Sequence, residues 1–526
     1  MSFVLIVTSP CLAETSELAI RFDSAGLSSI RYRAAEFLAR AGFQVNAINF
    51  LNSDGRLSAG NLTHTVSIDT TARTTKLVFD WGAIAVQYLP FPEKLVFNID
   101  TTNRSSFPIE SLSYDAVALR FERPPVEYDG MTPILGTNIG YPTMLPMTYG
   151  AGAVVLCNDD VRGPLLVGFP WPLDRPANRV FPLRIDTGRN RMYPDSLPPI
   201  DRPIRPGMTD RFTISLRFTP TPLHLVRVTP DLYSLFRKME PFTLKWPDRR
   251  PIGSPIIGTA AAGWPKNPRG WFLDSKLDIT TKQGVAAFHE RLLAWADRSV
   301  SILKSMNAQG MVTWDSEGEQ FRHATTYIGD PRLIETLAPE MAGVVDEYFA
   351  RFTRAGLRVG VTVRPQTVVI SDGGRKVEQT ASKDPGRVLI EKIGYAKKRW
   401  GATLFYIDSN GDPALPLPFG IIKRVADAYP DVLLMPEHEN AAYYSKTAPY
   451  TELRTGSTST PALVRDIYQS AFSVINTADE RIDADYQQLE KAVTHGDILM
   501  FRAWYEDPAN AKVKALTLRR GKTDVH

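Results

Sequence analysis

The chain has 526 residues, enough for two or three domains, with 43% apolar and 22% charged residues, ordinary proportions for a globular protein. A net charge of +4, with no basic run interleaved with aromatics, excludes nucleic acid as an expected partner. Beyond the N-terminus no segment approaches the roughly 20 apolar residues of a membrane span, so no membrane partner is expected either.

In chain order, residues 1–13 read as the end of a secretory signal. An apolar run leads to a small-residue cleavage site near Ala13, although the basic n-region is missing; the alternative is a buried first strand. Export to the periplasm or the medium is the expectation. Cleavage would remove Cys11 and leave Cys157 as the only cysteine, so the fold must rest on its core rather than on disulfides.

Residues 14–220 alternate apolar and polar positions between Pro- and Gly-rich turns, as in the stretch that starts at Thr75 and the one that starts at Arg211. One helix is expected around 28–41. Many short strands of this kind predict an antiparallel β-sandwich. A linker over 221–255 follows, with a short amphipathic helix near Leu232.

From residue 256 the period changes. Strand 256–259 precedes a long helix at 281–306, and strand–helix pairs then repeat: 311–314 with 332–355, 359–363 with 385–399, 403–407 with 417–428, 432–435 with 461–471 and 473–476 with 484–494. Strand 498–502 is the seventh, and 513–518 is the candidate for an eighth. With no Gly-rich nucleotide loop after any strand, residues 256–526 are expected to form a (β/α)8 TIM-like barrel rather than a doubly wound sheet.

Chemistry in such a barrel sits where the strands end. Asp315, Glu317 and Glu319 follow the second strand, Arg364 ends the third, Asp408 follows the fourth, and Glu437, His438 and Glu439 follow the fifth. Glycoside cleavage needs one carboxyl to protonate the leaving oxygen and a second to attack the anomeric carbon or activate water. Adjacent parallel strands lie about 4.8 Å apart. Asp408 and Glu437 at neighbouring strand ends could therefore approach the roughly 5–5.5 Å separation of retaining enzymes.

This layout resembles the (β/α)8-barrel glycoside hydrolases that carry an N-terminal β-sandwich, the α-amylase-, α-galactosidase- and α-glucosidase-like groups. The resemblance spans roughly 256–507 in architecture and only a few residues in motif. It implies an Asp nucleophile on strand four, Asp408. The acid/base would lie on strand five, Glu437, by the amylase pattern, or on strand six, which points to Asp479, by the galactosidase pattern.

Asp315, Glu317 and Glu319 would share one face of an extended segment and could bind sugar hydroxyls, or one of them could be catalytic, against a reading as solvated loop charge. Arg364 could clamp a substrate carboxylate or orient Asp408, and His438 and Glu439 are candidates for binding substrate, although one acid of Glu437-His438-Glu439 could instead only orient His438 or the other acid. Trp314, Tyr406 and Trp504 could stack on sugar rings, against a reading as core. Asp408, Asn410 and Asp412 alternate like calcium ligands but lack the following Gly and distal Glu of an EF-hand, so no cofactor is expected. The leading expectation is an exported retaining glycoside hydrolase acting on an oligo- or polysaccharide. The alternatives are a metal-assisted hydrolase built on the Asp315 and Asp408 loops, or a carbohydrate-binding protein without turnover.

Overall fold

The computed structural model describes residues 17–40, 42–121, 126–127, 144–149, 152–160, 165–168, 180–188, 202–220, 228–255, 257, 264–318, 328–371, 376–412, 415–452, 459–476, 482–502 and 510–520. The signal-like segment lies outside them, as do Glu319, Asp479 and Trp504. Two compact units are present: residues 1–136 with 141–235, and 137–140 with 236–526.

The first unit holds an eight-stranded and a six-stranded antiparallel sheet and a smaller three-stranded one. Ile84, Val86, Phe97, Ile99, Leu216 and Phe218 from the first sheet and Ile48, Leu112, Tyr114, Leu183 and Ile185 from the second share one buried cluster. This is the sandwich that the alternation predicts. The helix expected at 28–41 is instead three strands, Gly26–Tyr32, Ala35–Glu36 and Leu38–Arg40. Arg33 takes a left-handed φ of 55°, which turns the chain back on itself and interrupts any helical run.

The second unit is an eight-stranded parallel barrel. Its strands are β1 (Ile252–Ser254), β2 (Gly310–Thr313), β3 (Arg358–Val363), β4 (Leu404–Ile407), β5 (Leu433–Pro436), β6 (Tyr450–Glu452), β7 (Val474–Asn476) and β8 (Ile498–Arg502). They pair in the order β5-β4-β3-β2-β1-β8-β7-β6. Between the ends of that order, Ala448 just before β6 donates its N–H to the Leu434 carbonyl of β5 at 3.0 Å, which nearly closes the ring. Alternate residues fill the interior, among them Ile252, Val312, Leu404, Tyr406, Leu433, Met435, Tyr450, Val474, Ile498 and Met500.

Three expectations need correction. The first strand is 252–254, inside the expected linker, and of the stretch 256–259 all but residue 257 lies outside the described residues. Strand β6 was not foreseen, so the strands read as sixth and seventh are β7 and β8. The eighth, looked for at 513–518, lies in helix Asn510–Arg520, and β8 closes directly on β1 through Ile252↔Met500.

The helices that matter for the site are α1 (Lys282–Ser305), after β1, and α2 (Pro385–Trp400), after β3. In α2 the Asp384 side chain accepts from the Arg387 N–H, Pro385 takes the first turn and Gly401 ends the helix at φ 68°. Its buried stripe runs Val388, Leu389, Lys392, Ile393 and Ala396. No helix among the described residues is long and apolar enough to cross a membrane.

Gly360 on β3 has no room for a side chain, since a Cβ there would lie 2.1 Å from the Leu404 carbonyl oxygen of β4. Gly360→Ala is therefore expected to destabilise the barrel by about 3 kcal/mol or more, read as a lower unfolding midpoint in urea.

Candidate active site

The ladder that joins β3, β4 and β5 places three polar residues at one level. Val363 pairs with Ile407 and Ile407 with Pro436. The backbone continues the ladder one step further, with Asp408 N–H on Val363 O and Glu437 N–H on Ile407 O, both at 3.0 Å. Arg364, Asp408 and Glu437 are thus neighbours at the carboxyl ends of three consecutive strands. Glu437 follows β5 directly.

Asp408 is buried, 7% exposed. Arg364 places both Nε and Nη2 on its Oδ2, and sends Nη1 to Gln379 Oε1 at 3.1 Å. Glu437 Oε2 accepts the Ser409 N–H at 2.8 Å. Burial, followed by the repulsion of Asp408, pushes the Glu437 carboxyl up to about 7, and the Ser409 N–H and Arg364 only partly offset this.

The loops after β4 and β5 are locked together. Asn410, fully buried, donates Nδ2–H to the His438 carbonyl at 2.8 Å and accepts the His438 N–H on Oδ1 at 2.9 Å. This commits the oxygen that a calcium loop would need, and Arg364 occupies Asp408. The His438 ring stands 3.6 Å from Glu437 Oε2. Glu439 is partly exposed, and burial pushes its carboxyl up to about 7 against a hydrogen bond from Tyr444.

The acids after β2 do not lie along an extended face. Gly318, at φ 70°, donates its N–H to the Asp315 carbonyl at 2.7 Å and turns the chain. Asp315 is 0% exposed and accepts the Ile257 N–H at 3.3 Å. Glu317 is 1% exposed and accepts the Asp330 N–H at 2.6 Å. Both are enclosed, so neither is solvated loop charge. Burial pushes the Glu317 carboxyl up to about 7.

Trp314 stacks on Tyr406 with ring centroids 4.7 Å apart, and both meet Tyr450 edge-on, at 5.9 and 4.8 Å. Trp314 is the residue after β2, Tyr406 comes from β4 and Tyr450 from β6, and the three pack together at one level of the barrel. Tyr406 is buried and belongs to the core, whereas Trp314 is half-buried.

Sequence reasoning passed over Ser409, Gln366, Lys392 and Glu452. Ser409 holds a left-handed φ of 53°. Glu452 ends β6, in register with Asn476 of β7. The strand-six argument for the acid/base therefore falls on Glu452, and Asp479 follows β7. A lysine on an otherwise apolar helical stripe was the available signal for Lys392.

No family model and no curated protein matches the sequence. Among solved structures, the α-N-acetylgalactosaminidase NagBb from Bifidobacterium bifidum, determined with GalNAc, aligns at TM-score 0.54 and 12% identity over 96% of this chain and 92% of its own. The GH36 α-galactosidase AgaB from Geobacillus stearothermophilus aligns at TM-score 0.45 and 11% identity over 90% and 75%. The first likeness establishes the fold: antiparallel sheets followed by a parallel barrel, as in glycoside hydrolases of that type.

Proposed function

We propose that the chain is a retaining glycoside hydrolase whose nucleophile is Asp408 and whose proton donor is Glu437, with a saccharide as substrate. The observation that carries this reading is the pair at the ends of β4 and β5: a carboxylate held by Arg364 beside a carboxyl raised to about 7. A carboxyl kept protonated near neutrality, next to a second carboxyl gripped by an arginine, is what acid and nucleophile require. In the forward step Asp408 attacks the anomeric carbon as the glycosidic C–O bond breaks. Glu437 gives its proton to the leaving oxygen, then takes one from the water that hydrolyses the glycosyl ester. The half-buried Trp314 offers a face on which a sugar ring can stack.

A second reading keeps Asp408 and moves the proton donor to Glu452. It is favoured by the position of Glu452 at the end of β6.

The test is release of nitrophenol and of methanol from paired 4-nitrophenyl and methyl α-galactosides, α-N-acetylgalactosaminides and α-glucosides. The first two sugars are chosen because the solved neighbours are named for them. Loss of the proton donor costs little when the leaving group is activated and about 10²–10⁴-fold when it is not. Glu437→Gln is expected to show that split and to abolish the fall in kcat/KM above about pH 7, where wild-type Glu437 loses its proton. A split in Glu452→Gln instead selects the second reading. Absence of turnover with every sugar rejects the hydrolase for this panel and leaves binding without chemistry.

A further inference from the structure

We propose that Lys392 is a positioning residue for both carboxyls, acting through the turn Arg364-Pro365-Gln366; the inference rests on the hydrolase reading above. Lys392 comes from the buried stripe of α2, and its side chain is 0% exposed. Burying an ammonium is costly unless each donor is used. Here Nζ donates to Arg364 O at 2.8 Å and to Gln366 O at 2.9 Å, and stands 3.5 Å from Asp330 Oδ2. A methionine of similar length would pack the same stripe, so the charge is explained by what it binds.

The two residues whose carbonyls it holds are those whose side chains reach the site. Arg364 grips Asp408. Gln366 donates Nε2–H to the Ser409 carbonyl at 2.9 Å. Ser409 in turn gives its own N–H to Glu437 at 2.8 Å. A side-chain-bearing residue at φ 53° keeps that conformation only when its surroundings hold it, and Ser409 is pinned at both its carbonyl and its N–H. One buried ammonium thus fixes a turn, the turn fixes Asp408 and Ser409, and Ser409 fixes Glu437. None of this requires Lys392 to touch substrate.

The test uses the full chain with Gln366→Met and Lys392→Met. The first removes the Ser409 contact and leaves the buried charge alone, so it remains readable if the second does not fold. With the aryl glycoside that the wild type turns over, both variants are expected to lose about 10²-fold in kcat with little change in KM, the cost of misplaced reacting groups. The second readout needs no turnover. The Glu437 carboxyl is titrated by infrared difference spectroscopy, with Glu437→Gln to assign its band. Its midpoint should rise, because the Ser409 N–H that favours the anion is released. A folded Gln366→Met with wild-type kcat and an unmoved midpoint overturns the proposal. If the wild type cleaves nothing and the midpoint still rises, the hydrolase reading fails while the positioning role stands.

Discussion

Asp408→Asn is expected to lower kcat/KM on the best aryl glycoside by about 10⁴-fold or more, equivalent to about 5 kcal/mol or more of transition-state stabilisation. The amide has nearly the shape of the carboxylate, so the loss reflects charge and nucleophilicity rather than packing. It cannot form the glycosyl ester, and it cannot balance positive charge developing at the anomeric carbon. It also leaves Arg364, only 12% exposed in its side chain, facing a neutral group. Two further results should accompany the loss. In Asp408→Gly, azide should restore product as a glycosyl azide of the anomeric configuration opposite to the substrate, since a small anion enters the space that the removed side chain leaves. The Glu437 titration should move down, because the repulsion of Asp408 is among the causes that hold it up. If Asp408→Asn turns over at the wild-type rate, Asp408 is not the nucleophile, and attack must come from another strand end.

Arg364, Asp408 and Glu437 stood out in the sequence because each ends an apolar run, and a parallel strand buried on both faces can be read as such a run. The same signal failed at β6. Tyr450–Glu452 is three residues long, with a tyrosine and a threonine, and directly follows Ala448-Pro449, so no apolar run marks it. The miscount moved every later strand by one and sent the strand-six argument to Asp479 instead of Glu452. Helix 28–41 failed for a different reason: its composition suits a helix, but the turn at Arg33 and pairing with Leu18–Asp23 decide the conformation. Tyr406 admits two readings in the sequence, sugar platform or core, because it is aromatic near a strand end. It is the last but one residue of β4 and points into the barrel, where Trp314 covers it. The Lys392 chain of contacts was not legible, since it depends on backbone carbonyls that no residue type announces.

Glu317→Gln is expected to stabilise the barrel unit at pH 8 relative to wild type and to remove a loss of stability that wild type suffers between about pH 4.5 and 7. Glu317 is 1% exposed, and its carboxyl is raised from 4.5 to about 7 chiefly by burial, with Asp330 adding repulsion and the Asp330 N–H and Lys392 opposing it. Over that window the unfolded chain holds fewer protons at this position than the folded one. Stability is therefore fully present below pH 4.5 and falls as the pH rises to 7. The whole loss is about 3 kcal/mol, worth about 6 °C in melting temperature for a unit of this size. Glutamine stays neutral throughout, keeps an oxygen for the Asp330 N–H and offers an N–H where Ser316 Oγ stands 3.4 Å away. Melting curves of both proteins at pH 5.5 and 8 decide the matter. Parallel shifts in the two proteins would mean that Glu317 is ionised at both pH values, with Lys392 as its counter-charge. A shift confined to wild type would mean that the acid is neutral in the folded state at pH 5.5, so that Lys392 has Asp330 as its anionic partner there and the ammonium beneath the Arg364 turn does not depend on Glu317 for its charge.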